Sequence, residues 1–443
     1  MSLPLTTEKI LKSAFEAAVS VADPQVIIPQ YLAKIFPAGK EPKGKCWVVG
    51  AGKASASMAS ALEAYAKKHW PNIPLEGVVL TRYGHGSPTS HIQIIEAGHP
   101  VPDQAGMDGA KAVLAIANQL QAGDVLIALV SGGGSSLLTL PQAGISIEDM
   151  RLTTEALLRS GAPIEEMNVV RKHLSAILGG NLARVAIARG ARVEALLISD
   201  VTGDSPADIA SGPCAADYSS YLDALNILQK YNLDASSVPL AVLNHLKLGL
   251  AGEKPETLKD VDLVNAQVAN HVIATAYKSL EAAAQCVRLH GYEPIILGDT
   301  ITGEAQAVGL DHAHIIREHL SKGNDRPVAL ISGGECTVTI PAGVKGRGGR
   351  CSEYLLSLFA HTQDLPNLAG LAADTDGIDG SEKNAGAWFD KEIRQQSQMK
   401  GISPEPFLKA HDCYGFFADL DALVETGPTL TNVNDFRIIL LNK

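Results

Sequence analysis

The sequence predicts an α/β protein of two domains, a doubly wound first half followed by a second α/β half with a mixed sheet. Three observations carry that expectation. A chain of 443 residues, 46% of them hydrophobic, holds more apolar side chains than one core takes, because chains beyond ~250–300 residues divide into domains. Apolar runs without polar alternation recur between helix-like stretches rich in Ala, Leu and Glu, the pattern of parallel strands covered on both faces. Two of those runs end alike, at Ser131-Gly-Gly-Gly-Ser-Ser136 in the first half and Ser332-Gly-Gly-Glu335 in the second. A strand that stops at Ser-Gly-Gly delivers backbone amides to a ligand, since glycine tolerates positive φ and sets no Cβ in front of them.

In chain order, residues 8–21 read as a helix with Ile10, Leu11, Ala14, Phe15, Ala18 and Val19 on one face. Strands are then expected at 46–49, 77–81, 93–97, 125–131 and 193–199, with helices at 53–68, 105–120, 150–159 and 182–189. The polar Gly/Pro stretch 249–257 marks the boundary between domains 1–250 and 258–443. Beyond it, strands are expected at 262–268, 294–297, 328–332, 337–340, 370–373 and 437–441, and helices at 271–290, 304–319 and 353–362. The segment 332–340 runs strand, short break, strand, which predicts a hairpin and with it a mixed sheet.

Composition excludes several classes of function. The net charge of −11 comes without long like-charged runs, which argues against a nucleic-acid or anionic-membrane surface. No apolar stretch reaches ~18 residues and the N-terminus lacks the order of a secretory signal, so a cytoplasmic location is expected. The six cysteines form no Cys-x-x-Cys pair, which excludes a zinc knuckle and gives no disulfide framework. His312 and His314 stand two apart on an expected helix and point apart, which argues against a shared transition metal. A homo-oligomer stays open.

The chemistry-bearing motifs lie at strand ends and in loops. Gly50-Ala-Gly-Lys53 joins a strand to a helix start, a ready anion site to which Lys53 adds fixed positive charge. It does not complete a dinucleotide fingerprint, because Ser55 holds the third glycine position and the next strand ends in Thr81-Arg82, where an acid would take a ribose hydroxyl. The basic residue leaves an NADP reader open. Neither glycine loop is a P-loop, and the protein-kinase signatures are absent. In Asn168-Val-Val-Arg-Lys-His-Leu-Ser175, Arg171 offers a bidentate fork for a carboxylate. Asp200 and Asp204 follow an apolar strand, where a Mg²⁺-nucleotide is met, although turn-forming aspartates read the same way. Gly346-Arg-Gly-Gly-Arg350 brackets arginines with glycine, as a flexible phosphate clamp would. Asp374-Thr-Asp-Gly-Ile-Asp-Gly380 gathers acids but is no EF-hand, since Ile378 occupies a ligand position. The polar loop 426–435 offers hydrogen bonds to a hydroxylated ligand.

Together with Ser211-Gly-Pro213 and Thr426-Gly-Pro-Thr, these motifs resemble, in order and over nearly the whole chain, the type II glycerate 2-kinases. The resemblance implies a Rossmann-like N-terminal domain, a smaller C-terminal α/β domain, an active-site cleft between them, and ATP- and Mg²⁺-dependent phosphorylation of D-glycerate to 2-phosphoglycerate. The chain departs from the family pattern at Cys351-Ser352, where Asn-Gln is usual, at Leu178 and Asn181, where Lys and Arg are usual, and at Leu430, where glycine is usual. These departures bear on which hydroxy acid is taken.

The expected division of roles places Lys53 and Arg350 at the transferring phosphoryl group, as the family's pattern also implies. Gly132, Gly133, Gly134, Gly333, Gly334, Glu335, Asp374 and Asp376 are expected to hold ATP, and Asp200 and Asp204 the Mg²⁺. Arg171, Ser135 and Asn168 are expected to hold the glycerate carboxylate, with Asp200 orienting the 2-hydroxyl and domain closure excluding water. The competing readings are an NAD(P)H-dependent hydroxypyruvate reductase, a label that family members carry, and a non-catalytic metabolite-binding protein. The incomplete dinucleotide fingerprint and the gathered cations and carboxylates favour phosphoryl transfer.

Overall fold

The computed structural model describes residues 6–323, 326–341 and 343–442. The chain divides into two units, residues 27–273 and residues 1–26 with 274–443. The first is built on strands β1 (Cys46–Ala51), β2 (Leu75–Arg82), β3 (Ile92–Ala97), β4 (Val125–Val130), β5 (Arg192–Ile198) and β6 (Val268–Ala274). Their order is β3-β2-β1-β4-β5-β6, and the pairs from β3 to β5 are parallel. β1 and β4 are buried along their whole length, which is why both read as unbroken apolar runs. The order reverses between these two strands, and in open α/β sheets ligands gather beyond the strand ends at such a point.

Helices Ser55–His69 and Gln104–Gln119 cover the sheet, the second capped by Asp103, whose carboxylate accepts from the Gly106 amide at 2.9 Å. A separate helical layer, Ile147–Arg159, Ile164–Leu174, Tyr221–Lys230 and Leu240–Leu250, closes on Met150, Leu157, Met167, Val170, Leu228 and Leu246. Capping boxes at Ser146/Asp149 and Ser220/Asp223 start two of these helices.

The other unit contains β7 (Glu293–Gly298), β8 (Gly303–Glu304), β9 (Val328–Gly334), β10 (Cys336–Thr337), β11 (Leu368–Asp374), β12 (Gly386–Phe389), β13 (Leu423–Val424) and β14 (Asp435–Leu441). Its main sheet runs β13-β12-β11-β14-β9-β7. β7 and β9 are parallel and every other pair is antiparallel. The sheet is mixed, as expected, but not through the expected hairpin at 332–340. β10 leaves β9 and pairs in parallel with β8, because β14 occupies the edge of β9 from Asp435↔Gly334 to Leu441↔Val328.

The units also divide at other places than the polar stretch 249–257. The chain continues past that stretch to supply β6 to the first sheet, so the expected strand at 262–268 is displaced to Val268–Ala274 and Asp260–Leu263 is a helical turn. The helix expected from 271 starts at Ala276, where the Thr275 hydroxyl caps the Lys278 amide. Helix Thr7–Ser20 belongs with the mixed sheet, since Ile10, Leu11, Ala14, Phe15 and Ala18 enter that core and Phe15 lies 5.8 Å from the Phe436 ring. Its periodicity announced a buried face without saying which core would bury it.

Candidate active site

In the parallel-sheet unit, the two glycine loops after β1 and β4 are stitched to each other. The Lys53 amide donates to the Gly132 carbonyl at 2.9 Å, and the Ala54 amide to Ser131 Oγ at 3.0 Å. Ser55 Oγ donates to the Leu129 carbonyl at 3.0 Å. Gly52 has φ +143°, and a Cβ there would lie 2.1 Å from Ser131 Oγ, so the approach of the loops itself demands glycine. Lys53 is thereby fixed at the end of β1, partly buried, one residue beyond that contact. Gly134 starts a single helical turn that carries Ser135, and Ser135 Oγ lies 2.9 Å from Ser211 Oγ. Ser211 is buried at φ +56°, and its neighbour Ala210 is at φ +49°. Left-handed non-glycine residues cost about 1–3 kcal/mol each, so the surroundings hold the Ser211 hydroxyl at Ser135 against strain.

Arg171 and Asn168 share helix Ile164–Leu174, three residues apart, with Arg171 Nη1 3.4 Å from Asn168 Oδ1. Burial pulls the Arg171 pKa down, and among the described residues no carboxylate pairs with it. Its neighbour Lys172 is compensated by Asp208 and Asp217, each at 3.5 Å, and His173 by Glu256 at 2.8 Å. One turn of helix thus leaves a single partly buried cation without a counter-charge, the condition that an incoming anion relieves. Asp200 and Asp204 lie partly buried in the bend after β5, Asp204 at φ +53°. Among the described residues no three His, Cys, Asp or Glu side chains gather as a metal cage.

The mixed-sheet unit presents the opposite electrostatics. Arg350 opens helix Arg350–His361 and is gripped by three carboxylates: Asp435 at Nε (2.6 Å), Glu335 at Nη1 (2.5 Å) and Asp374 at Nη2 (2.9 Å). Burial opposes its charge, but Asp435, Asp374 and Glu335 outweigh that and raise its pKa further. The sequence motifs are therefore brought together here: Ser332-Gly-Gly-Glu335 supplies one acid, the Asp374 loop another, and the glycine-bracketed arginine sits among them. Asp376 is buried and accepts from the Ile378 amide at 3.0 Å. Asp379 caps the Arg350 helix, accepting from the Cys351 and Ser352 amides at 2.9 and 2.8 Å and from Ser352 Oγ at 2.5 Å. Burial, the largest influence, raises its carboxyl to about 6 despite those bonds. A Cβ on Gly349 would lie 2.3 Å from Asp379 Oδ1, so that glycine serves the cap.

In the loop 426–435, expected to offer its hydroxyls to a ligand, Thr426 is exposed but Thr429 and Thr431 spend theirs inside. Thr429 Oγ1 donates to the Thr375 carbonyl at 2.5 Å and Thr431 Oγ1 to the Ala22 carbonyl at 2.8 Å. The loop is a buttress for Asp374–Asp376 and carries Leu430 at φ +58°. Sequence reasoning missed Ser211 as a partner of Ser135, and Asp435 and Arg437 as partners of the Arg350 cluster. Arg437 had a legible signal, a lone charge inside the apolar run of β14.

Family models match both parts of the chain: a domain of unknown function, DUF4147, over residues 10–247, and the MOFRL family over residues 328–435. The chain is 43% identical to an Agrobacterium vitis protein provisionally named a hydroxypyruvate reductase, over 99% of this chain and 95% of that one. It is 41% identical to a Pyrococcus horikoshii glycerate 2-kinase, over 96% and 92% of the two chains. Among solved structures, a glycerate kinase of Thermotoga maritima superposes with a TM-score of 0.85 at 34% identity, covering 98% of this chain and 99% of that one. No helix among the described residues is long and apolar enough to cross a membrane. The chain belongs to the glycerate 2-kinase family.

Proposed function

We propose that the protein is a cytoplasmic kinase that transfers the γ-phosphoryl group of ATP, with Mg²⁺, to the 2-hydroxyl of D-glycerate, giving 2-phosphoglycerate and ADP. The observation that carries this reading beyond family membership is the contrast in charge between the two motif clusters. Arg171 is a partly buried cation without a carboxylate partner, suited to a small carboxylate substrate. The Arg350 cluster is rich in acids, suited to a cation-bearing nucleotide.

In this reading Arg171 takes the glycerate carboxylate in a fork, with Asn168 beside it, and Ser135, its rotamer fixed by the strained Ser211, adds a hydroxyl to the substrate. Lys53, fixed at the end of β1, stabilises charge on the transferring group, and Arg350 does so from its carboxylate grip. Gly132, Gly133, Gly134, Gly333 and Gly334 supply backbone amides, and Glu335, Asp374 and Asp376 line the nucleotide side. Asp200 and Asp204 suit Mg²⁺, because it needs only one or two carboxylates besides phosphate oxygens. Asp200 and Asp204 would hold it, and it supplies charge neutralisation on those oxygens. Asp200 also orients the attacking hydroxyl.

The test is ADP release from ATP and Mg²⁺ with a panel of small hydroxy acids, coupled to enolase, which consumes 2-phosphoglycerate directly. The expected result is turnover only with D-glycerate and immediate consumption of the product. Oxidation of NAD(P)H by hydroxypyruvate, indifferent to ATP, would replace this reading with a reductase. Ligand-dependent thermal stabilisation without turnover in either assay would leave a binding protein.

A further inference from the structure

We infer that Arg437 is a positioning residue for Arg350, acting through Asp435 and through the Ser332-Gly-Gly-Glu335 loop. The inference rests on the reading that Arg350 acts on the transferring phosphoryl group. Arg437 is 1% exposed and projects from β14 between β9 and β11, in register with Ser332 on one side and Ala372 on the other. Its Nη2 donates to Asp435 Oδ2 at 2.7 Å and its Nη1 to the Gly333 carbonyl at 3.2 Å. The other oxygen of the same carboxylate, Asp435 Oδ1, accepts from Arg350 Nε at 2.6 Å. Asp435 is thus clamped between two guanidinium groups, with the Cys336 amide adding a longer bond to Oδ2 at 3.3 Å, and the shorter Arg437 bond is the charged one that orients the plane aiming Arg350.

The second bond fixes the other wall of the cluster. The Gly333 carbonyl also accepts from the Ile301 amide at 3.2 Å, and two residues later Glu335 grips Arg350 Nη1. One planar fork therefore holds both the aspartate and the loop that carries Glu335 to Arg350, a span that a lysine, with a single point charge, does not reproduce.

Stability alone does not account for this residue. Its Nε is buried without a hydrogen-bond partner, and its neighbours along β14 are Phe436, Ile438, Ile439 and Leu440. A well-packed apolar residue in place of a buried ion pair is often neutral or stabilising. What an apolar residue cannot supply is direction at Asp435. Tyr354, whose ring lies 5.1 Å from the Arg437 guanidinium, confines the fork from the face, and its hydroxyl is itself held 2.6 Å from His312 Nδ1.

The experiment is steady-state kinetics on the full chain for Arg437→Lys, Arg350→Ala and the double variant. We expect Arg437→Lys to lower kcat at least about tenfold, as small misplacements near a reacting group do, with the glycerate KM within about twofold of the parent. In the Arg350→Ala background the same change should have no further effect, because its route to the reaction is gone. An unchanged kcat in Arg437→Lys, or a loss that repeats in full in the Arg350→Ala background, overturns the inference. If Arg437→Lys does not fold by thermal melting, Arg437→Gln, which keeps a neutral donor at this place and leaves Asp435 paired with Arg350, is read by the same criteria. Parental turnover in Arg350→Ala alone overturns the reading of Arg350, and this inference with it, and is told apart by that single variant.

Discussion

The two Ser-Gly-Gly strand ends look alike in sequence and are used differently. After β4, Ser131 accepts from the Ala54 amide and locks that loop to the Lys53 loop, and elsewhere in the same unit helix Ile164–Leu174 carries Arg171 with no carboxylate partner among the described residues. After β9, Ser332 is still within the strand, paired with Arg437, and the loop ends in an acid that grips Arg350. The same letters thus lead to a loop stitched to the Lys53 turn in one unit and to an acid-lined arginine in the other. The difference teaches that a glycine-rich strand end specifies a close backbone approach, and that its chemistry comes from the side chains brought up to it.

The sharpest way to break the comparison is to remove its two principal cations. Lys53→Ala, and Arg350→Ala at a lower Tm because it leaves the buried Asp374 and Asp435 short of a cation, should each lower kcat at least ~10²-fold if they stabilise transition-state charge. Near-parental turnover in either variant removes that residue from the mechanism. Next in size is Arg171→Met, which should raise the glycerate KM about 10–100-fold, the worth of a charge-assisted fork at ~1.5–3 kcal/mol, while leaving the KM for the nucleotide in place. Equal increases in both constants would deny the anion-binding character of the parallel-sheet unit.

Two smaller effects sharpen it. Leu430 holds φ +58° in the buttress behind Asp374, and a left-handed non-glycine residue costs ~1–2 kcal/mol. Leu430→Gly should stabilise the protein by about 0.5–1 kcal/mol, part of the relief being offset by the freedom glycine gains when unfolded. A lower Tm would show that its side-chain packing outweighs the strain. In the parallel-sheet unit, burial works against the charge on Glu256, but the His173 bond and the Tyr221 and Thr257 amides outweigh it and bring its pKa from 4.5 to about 2. A depressed acid contributes stability that is present above pH 4.5 and lost as pH falls towards 2. Glu256→Gln should flatten the acid-side stability profile in that window, and an unchanged profile would show that His173 does not anchor this helix through Glu256.

Much of this is legible in the sequence. The strands of the parallel sheet were visible because burial on both faces produces unbroken apolar runs, and the motifs of both clusters were visible because glycine and charge interrupt such runs. What escaped depended on long-range pairing. The helix Thr7–Ser20 shows one apolar face whichever core receives it. The apparent hairpin after β9 could not reveal that β14, about a hundred residues later, had already taken that edge. For the same reason, Asp435 reads as part of a polar ligand loop, whereas its two oxygens are spent on Arg350, Arg437 and the Cys336 amide. Ser211 escaped because strain at its φ leaves no mark on the letters Ala-Ser-Gly-Pro.

The division of roles itself is tested most directly by calorimetric titration of D-glycerate and of Mg²⁺-ATP into Arg171→Met and Asp374→Asn. Arg171→Met should lose glycerate binding and keep the nucleotide, and Asp374→Asn should lose affinity for the Mg²⁺-nucleotide and keep glycerate. The reverse pattern, or an equal loss of both ligands in both variants, would contradict the account.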